Sequence, residues 1–145
     1  MSFKTLTVSI QDKIAHVVLN RPAELNTMNE DFWREFPQAI RTIDEQAAAR
    51  VIVISSTGKH FTAGMDLGVF MNPNNISMQG DPARAAEQLR RLVLQLQDAF
   101  NVLETVRMPV LVAIQGGCIG GGVDMVSAAD CRYCTADAFF CIKET

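Results

Sequence analysis

Apolar and polar residues alternate along the first twenty positions, which is the period of half-buried β-strands. The two alternating runs, residues 3–10 and 13–20, are separated only by Gln11-Asp12. Two such runs joined by so short a connection predict a β-hairpin. Pro22 then ends the pattern, because proline has no N–H to donate to a sheet ladder.

Two later segments change to the period of an amphipathic helix. Between residues 29 and 49 apolar side chains recur three or four positions apart, and Asn29 is the predicted N-cap. A second helix is predicted to begin near Pro82. Its apolar face consists of side chains at the same helical spacing: Leu89, Leu92, Val93, Leu96, Phe100 and Leu103. Each helix is followed by an apolar run that predicts a buried strand, residues 51–54 and residues 110–114.

The remaining segments are loops and short strands. Residues 57–67 form a loop containing glycine, and the following stretch, which is rich in Asn, Pro and Gly up to residue 82, also predicts a loop. Residues 132–135 and 138–142 predict the last strands. Strands that alternate with helices predict an α/β fold, and the length suits one domain over residues 1–145.

Composition narrows the classes of protein. Hydrophobic residues make up 48% of the chain and charged residues 20%, as in folded globular domains and unlike disordered chains. A net charge of −3 gives no basic surface for a nucleic acid. The sequence has no apolar stretch long enough to cross a bilayer and no secretory signal. We therefore expect a cytoplasmic protein, and an organellar matrix remains open.

The four cysteines lie in the last third of the chain. Cys131-x-x-Cys134 is followed by no second Cys-x-x-Cys and no paired histidines, so a zinc or redox site is not predicted. Cys118 and Cys141 complete the set. We expect all four to be reduced, small, buried residues on strands, and no metal is expected.

Five glycines, at positions 116, 117, 120, 121 and 122, lie between a predicted strand and an apolar run that predicts a helix. Glycine leaves backbone N–H groups uncovered, and a helix start is the positive end of its dipole. An anion or oxyanion site is one interpretation, and close helix–sheet packing is the other. The spacing fits neither a dinucleotide-binding turn nor a P-loop.

Two carboxylates accompany these glycines. Asp124 comes three residues after Gly121, and Glu144 follows the last apolar run. A pair of carboxylates beside an apolar site can move protons at carbon, with one of them ionised as the base. The alternative is that Asp124 caps a helix and Glu144 is a surface residue.

Three separated motifs resemble the enoyl-CoA hydratase/isomerase, or crotonase, family in order and spacing. They are Leu19-Asn20-Arg21-Pro22 with Asn26-Thr27-Met28, then Phe61-Thr62-Ala63-Gly64-Met65-Asp66-Leu67, then Gly116-Gly117-Cys118-Ile119-Gly120-Gly121-Gly122-Val123-Asp124. The resemblance implies a right-handed spiral of ββα units followed by C-terminal helices that build trimers. We therefore expect residues 1–145 to be a crotonase-like core domain truncated at its C-terminal side. A homotrimer or hexamer is expected at full length.

The same resemblance assigns a site. It implies that the backbone N–H groups of Met65 and Gly121 hold a thioester oxygen. Residues next to them are expected to bind the substrate: Ala63, Gly64, Asp66, Leu67 and Gly122. Arg21, together with Lys59 and His60, contacts coenzyme A in one interpretation and carries an exposed loop charge in the other.

The identity of the first carboxylate points to one branch of the family. Hydratases usually have Glu at both acid/base positions, whereas this chain has Asp124. With the segments 100–104 and 137–144, this resembles the dienoyl-CoA isomerase branch. The branch implies conversion of 3,5-dienoyl-CoA to 2,4-dienoyl-CoA, with Glu144 exchanging the C2 proton and Asp124 supporting it. A further acid is expected beyond residue 145.

No cofactor is expected, since coenzyme A is part of the acyl-CoA substrate. Two alternatives remain: an enoyl-CoA hydratase that adds water to one double bond, and a non-catalytic acyl-CoA-binding relative.

Overall fold

The computed structural model describes residues 3–71 and 81–143. The elements occur in this order: β1 Leu6–Gln11, β2 Ile14–Leu19, a 3-10 turn Pro22–Glu24, α1 Glu30–Gln46, β3 Val51–Ser56, α2 Gly68–Met71, α3 Pro82–Thr105, β4 Val110–Ile114, β5 Gly117–Ile119, α4 Gly121–Ser127, β6 Cys131–Cys134 and β7 Phe139–Cys141. Residues 72–80, within the stretch predicted to be a loop, lie outside the described residues.

The larger sheet has the strand order β1-β2-β3-β4-β6. β1 and β2 pair antiparallel, which confirms the predicted hairpin, and the other three pairings are parallel. Alternate residues of β2, Ala15, Val17 and Leu19, are buried, so the period read from the sequence corresponds to the face that packs on the core.

A second layer is built from short extended pieces. β5 and β7 pair parallel, and single parallel bridges join Met28 to Met65 and Thr62 to Cys118. After β2, each turn of the chain thus contributes one strand to the larger sheet and one short piece to this layer. The expected spiral of ββα units is confirmed, whereas β5, inside the glycine-rich segment, was not predicted.

Helix α1 covers one face of the larger sheet. Asn29 is its N-cap, as predicted, since the Asn29 side chain accepts the N–H of Phe32 at 3.0 Å. The helix ends at Gln46, three residues earlier than the predicted segment, where Ala47 adopts a left-handed conformation with φ 51°. Its buried aromatic side chains meet Phe100 of α3, with the Trp33 and Phe100 rings 5.1 Å apart.

Helix α3 begins at Pro82, as predicted, and the Asp81 side chain accepts the N–H of Ala83. The predicted apolar face is buried only towards its C-terminal end. Leu89 and Val93 are each 43% exposed. The ring contact of Trp33 with Phe100 and the salt bridge of Arg41 with Asp98 both join α1 to the C-terminal half of α3.

The prediction that all four cysteines are buried is correct only for Cys118, since Cys141 is half-buried and the other two are exposed. Cys118 is fully buried in β5, but Cys131 and Cys134 are exposed. Both lie on β6, which is the edge strand of the larger sheet, and all four β6 residues are exposed. All four cysteines are free thiols, and all four lie on strands, as predicted.

A buried carboxylate fastens β1 to α1. Glu35 is only 5% exposed and accepts hydrogen bonds from the N–H groups of Lys4 and Thr5 and from Thr5 Oγ1 at 2.7 Å. Burial alone would raise the pKa of Glu35, but the hydrogen bonds from Thr5 and Lys4 together leave this pKa below its ordinary value of 4.5. The ionised carboxylate therefore stabilises the folded state.

Replacing Glu35 with Gln is expected to lower the free energy of unfolding by about 1–3 kcal/mol near pH 7, because buried donors lose a charged acceptor. A carboxyl whose pKa is lowered by folding stabilises the protein above its unfolded pKa, and this stabilisation is lost as pH falls through the folded pKa. The difference between wild type and variant should therefore be complete above the ordinary value of 4.5 and shrink below it.

Urea denaturation between pH 3 and 7 measures this difference, about 1 kcal/mol or more at the upper end. Asp31→Asn is the control, since Asp31 lies on the same helix but pairs with the exposed Lys4 side chain. Such surface pairs contribute less than about 1 kcal/mol. Equal losses in the two variants would contradict the assignment to Glu35.

Candidate active site

A cavity of about 1170 Å³ opens where the second layer meets the ends of α3 and α4. Its described lining comes from five parts of the chain: Trp33, Ala63, Gly64, Met65, Leu67, Leu96, Gln97, Phe100, Asn101, Glu104, Ile119, Gly120, Gly121, Asp124, Ser127, Ala128 and Lys143. Six of the ten residues assigned from the sequence are among them: Ala63, Gly64, Met65, Leu67, Gly121 and Asp124.

The backbone around Met65 is fixed by its bridge to Met28. The N–H of Met28 donates to Gly64 O at 2.9 Å, and the N–H of Asp66 donates to Met28 O at 3.1 Å. In a parallel bridge the residues on either side make the hydrogen bonds, so the N–H of Met65 itself points away from Met28. Among residues 3–71 and 81–143 the Met65 N–H makes no hydrogen bond.

Gly121 is the first residue of α4, where N–H groups have no partner inside the helix. The preceding residue, Gly120, has a positive φ of 52°, and its N–H donates to Cys141 O at 2.8 Å. A Cβ at Gly121 would lie 3.4 Å from the Met28 sulfur and 3.8 Å from the Trp33 ring. Across the described ranges, the Gly121 N–H makes no hydrogen bond.

One of the two predicted carboxylates lies on the cavity. Asp124 occupies the first turn of α4, and its exposed side chain lines the same space as Met65 and Gly121. Lys143, after β7, brings a positive charge to the lining. Glu144 follows it in sequence and lies outside the described residues.

Three of the residues assigned from the sequence have other contacts. Arg21 Nη1 donates to the carbonyl of Thr27 at 2.6 Å, and the Asp66 carboxylate accepts the Gly68 N–H at 3.0 Å and the Thr27 hydroxyl. Gly122 is buried against the Thr62 methyl group, and an added Cβ there would collide with it. These contacts organise the loop and the helix start.

His60 holds the glycine-rich segment. Its Nδ1 accepts the N–H of Gly117 at 2.9 Å, and its carbonyl accepts from the Asn26 side chain. The ring also lies edge-on to Phe139 of β7. His60 therefore has a structural contact that the sequence did not indicate, whereas the neighbouring Lys59 is exposed.

Most of the cavity wall contributed by α3 was not predicted from the sequence. The polar residues Gln97, Asn101 and Glu104 line the cavity at helical spacing i, i+4 and i+7. Leu96 and Phe100 add an apolar strip beside them. The periodicity that marked α3 as amphipathic carried this signal, but it could not indicate which side of the helix faces a cavity.

Cys118 belongs to the glycine-rich segment, on β5, and is fully buried. Burial raises the pKa of its thiol to about 12. The thiol therefore stays protonated at neutral pH, and a thiolate nucleophile at this position is excluded. The polar groups that the cavity offers to a substrate are backbone donors, the carboxylates of Asp124 and Glu104, and side chains such as those of Lys143 and Ser127.

Several known proteins are similar to this chain in sequence and in fold. The family described as enoyl-CoA hydratase/isomerase matches residues 9–145. A peroxisomal protein of Arabidopsis thaliana, named Delta(3,5)-Delta(2,4)-dienoyl-CoA isomerase, is 44% identical over 99% of the chain and 53% of its own length. The mitochondrial protein of that name from Homo sapiens is 47% identical over 99% of the chain and 44% of its own length.

A solved structure is also similar. The crystal structure of an enoyl-CoA hydratase/isomerase (crotonase) from Legionella pneumophila aligns with a TM-score of 0.85 and 26% identity, over 99% of the chain and 52% of that protein. The chain thus spans about half the length of the relatives that it matches.

Proposed function

The chain belongs to the enoyl-CoA hydratase/isomerase family, and on this premise we propose that the whole protein converts 3,5-dienoyl-CoA to 2,4-dienoyl-CoA. The observation that carries the proposal is a single cavity lined by Met65, Gly121 and Asp124. The chain is also 44–47% identical to proteins named dienoyl-CoA isomerase. Isomerisation is the activity that best fits both the cavity and these relatives.

In this proposal the backbone N–H groups of Met65 and Gly121 form an oxyanion hole. Removing a proton at C2, beside the thioester carbonyl, moves negative charge onto the carbonyl oxygen. Donors that are already in place stabilise this enolate more than the ground state, which lowers the barrier. Support comes from the direction imposed on the Met65 N–H by its bridge, and from the unpaired helix start at Gly121.

Proton transfer completes the proposed reaction. Glu144 takes the proton from C2, and the electrons of the new enolate extend along the conjugated chain. A proton returns at C6, so the two double bonds move by one position and no atom is gained or lost. Asp124, which lines the cavity, supports the first transfer. We expect the acid for C6 to follow residue 145, as the family pattern implies.

Partners and assembly belong to the same proposal. The substrate is an acyl-CoA thioester, no cofactor is needed, and the whole protein forms a homotrimer or hexamer. Exposed apolar side chains on β6 and β7, among them Tyr133 at 63% and Phe140 at 50%, support a larger assembly. No helix in residues 3–71 and 81–143 is long and apolar enough to span a membrane.

The names of the relatives indicate a compartment for the whole protein. Relatives with the isomerase name are peroxisomal or mitochondrial, so we propose an organellar matrix as the compartment of the whole protein.

The test compares two substrates on the protein at its full natural length. We expect 3,5-dienoyl-CoA to be converted to 2,4-dienoyl-CoA, whose conjugation with the carbonyl changes the ultraviolet absorption. Hydration of a simple 2-enoyl-CoA should be weak, because Asp124 is one methylene shorter than Glu, and an error near 1 Å in placing water costs about 10²-fold. Faster hydration than isomerisation would establish the hydratase instead.

A further inference from the structure

We propose that Thr62 is a positioning residue that sets the geometry of both backbone donors of the oxyanion hole. This inference rests on the proposed function of Met65 and Gly121. Thr62 is fully buried, and its described contacts are with the segments that carry the two donors and with the loop around Asn26.

The Thr62 hydroxyl holds the first donor. It accepts the N–H of Gly64 at 3.1 Å and donates to the carbonyl of Asn26 at 2.7 Å. Gly64 immediately precedes Met65, and the plane of the peptide that joins them contains both the Gly64 carbonyl and the Met65 N–H. Fixing Gly64 at its nitrogen by Thr62 and at its oxygen by Met28 therefore fixes the direction of the Met65 N–H.

The Thr62 backbone and methyl group hold the second donor. The N–H of Thr62 donates to Gly117 O at 3.1 Å, and the N–H of Ile119 donates to Thr62 O at 3.1 Å. The methyl group lies where a Cβ of Gly122 would be, so Gly122 is in direct contact with it. Gly122 follows Gly121, and the separation between the loop and the start of α4 is set by this contact.

The chemistry explains why a buried threonine suits this position. Serine provides the same hydroxyl without the methyl group, and valine provides the same shape without a hydrogen bond. In the Thr62→Val variant, the Gly64 N–H and the Asn26 carbonyl would each lose a buried hydrogen-bond partner. The loop would then shift to regain partners, and the Met65 N–H would turn with it.

We expect Thr62→Val to lower kcat by about 10- to 10²-fold, with a much smaller change in KM, because an error below 1 Å at a donor acts mainly on the transition state. Thr62→Ser keeps the hydroxyl that holds Gly64 and loses the methyl contact with Gly122, so its kcat should lie between those of the wild type and Thr62→Val. If Thr62→Val does not fold, Thr62→Cys replaces it, since a thiol is a much weaker hydrogen-bonding group of similar shape to serine.

The matched control is Thr5→Val. Thr5 is 3% exposed and its hydroxyl donates to Glu35, far along the chain from the cavity. This variant should unfold at a lower temperature and keep its kcat. A loss of kcat in Thr5→Val equal to that in Thr62→Val would show a general effect of lost stability and overturn the inference.

A second readout separates this inference from the proposed function. Hydrogen bonds to a thioester carbonyl lower its C=O stretching frequency, which infrared difference spectra of bound 2-enoyl-CoA report without turnover. We expect the wild type and Thr62→Ser to lower the frequency more than Thr62→Val does. If the wild type isomerises no diene, the proposed function fails, and the spectra alone decide the role of Thr62. Equal spectra for Thr62→Val and wild type overturn it.

Discussion

Glu144→Gln is expected to reduce the conversion of 3,5-dienoyl-CoA by about 10²- to 10⁴-fold in kcat. An amide keeps the shape of the side chain but cannot accept the C2 proton. Asp124→Asn should slow the reaction by less, because Asp124 supports the transfer. Stopped-flow absorbance at saturating substrate measures kcat in each variant.

Glu87→Gln provides the matched control for a loss of carboxylate charge. Glu87 lies on the exposed half of α3, where it pairs with Arg91 at 2.8 Å. Its substitution should leave kcat unchanged. If Glu144→Gln retains a kcat near that of the wild type, Glu144 does not move the C2 proton, and the assignment of acid and base has to be redrawn around Asp124.

Gly64→Ala is expected to lower kcat by about 10²-fold or more, since a displacement near 1 Å is sufficient for such a loss. Gly64 has a φ of +88°, and an added Cβ would lie 2.7 Å from the carbonyl oxygen of Ile119. That oxygen is backbone on the segment leading into α4, so the side chain can be accommodated only by separating the loop from the helix start. The two proposed donors, Met65 and Gly121, would move apart.

Gly58→Ala separates this effect from backbone strain in general. Gly58 has a similar φ of +85°, and its added Cβ would meet the Pro22 side chain at 2.8 Å, outside the cavity lining. Both alanine variants should lower the melting temperature, because L residues are strained at positive φ. Only Gly64→Ala should lower kcat. Comparable kinetic losses in both would mean that Gly64 acts through stability alone.

Local patterns predicted the elements whose signals are contained within a few residues. The β1–β2 hairpin was predicted from the alternation of apolar and polar residues. The cap at Asn29 depends on a single side chain, which accepts the N–H of Phe32 three residues later. β5 was missed because its three residues pair with β7, some twenty positions later, and glycines carry no apolar pattern. Such pairing depends on the register of distant segments, which the local sequence does not encode.

For the candidate site as well, the sequence predicted some features and not others. Motifs placed Met65, Gly121 and Asp124 on one cavity, because backbone positions in a turn are tied to the glycines around them. For Arg21 the sequence left two interpretations, coenzyme A binding and an exposed loop charge, and the structure adds a contact that neither included, since its guanidinium donates to the Thr27 carbonyl. A guanidinium has five donors, and the sequence does not indicate which acceptors the folded chain brings within reach.

The pieces of the second layer, Met28, Thr62 to Met65, β5 and β7, come from four places along the chain and pair in parallel. Parallel neighbours are separated by long crossovers, so the entropy lost on closing each loop precedes any contact between them. The donors near Met65 and Gly121 consequently depend on pairings of high contact order. During folding, the hairpin and the helices can form early from local contacts, whereas the cavity has to wait until the distant turns of the spiral have closed.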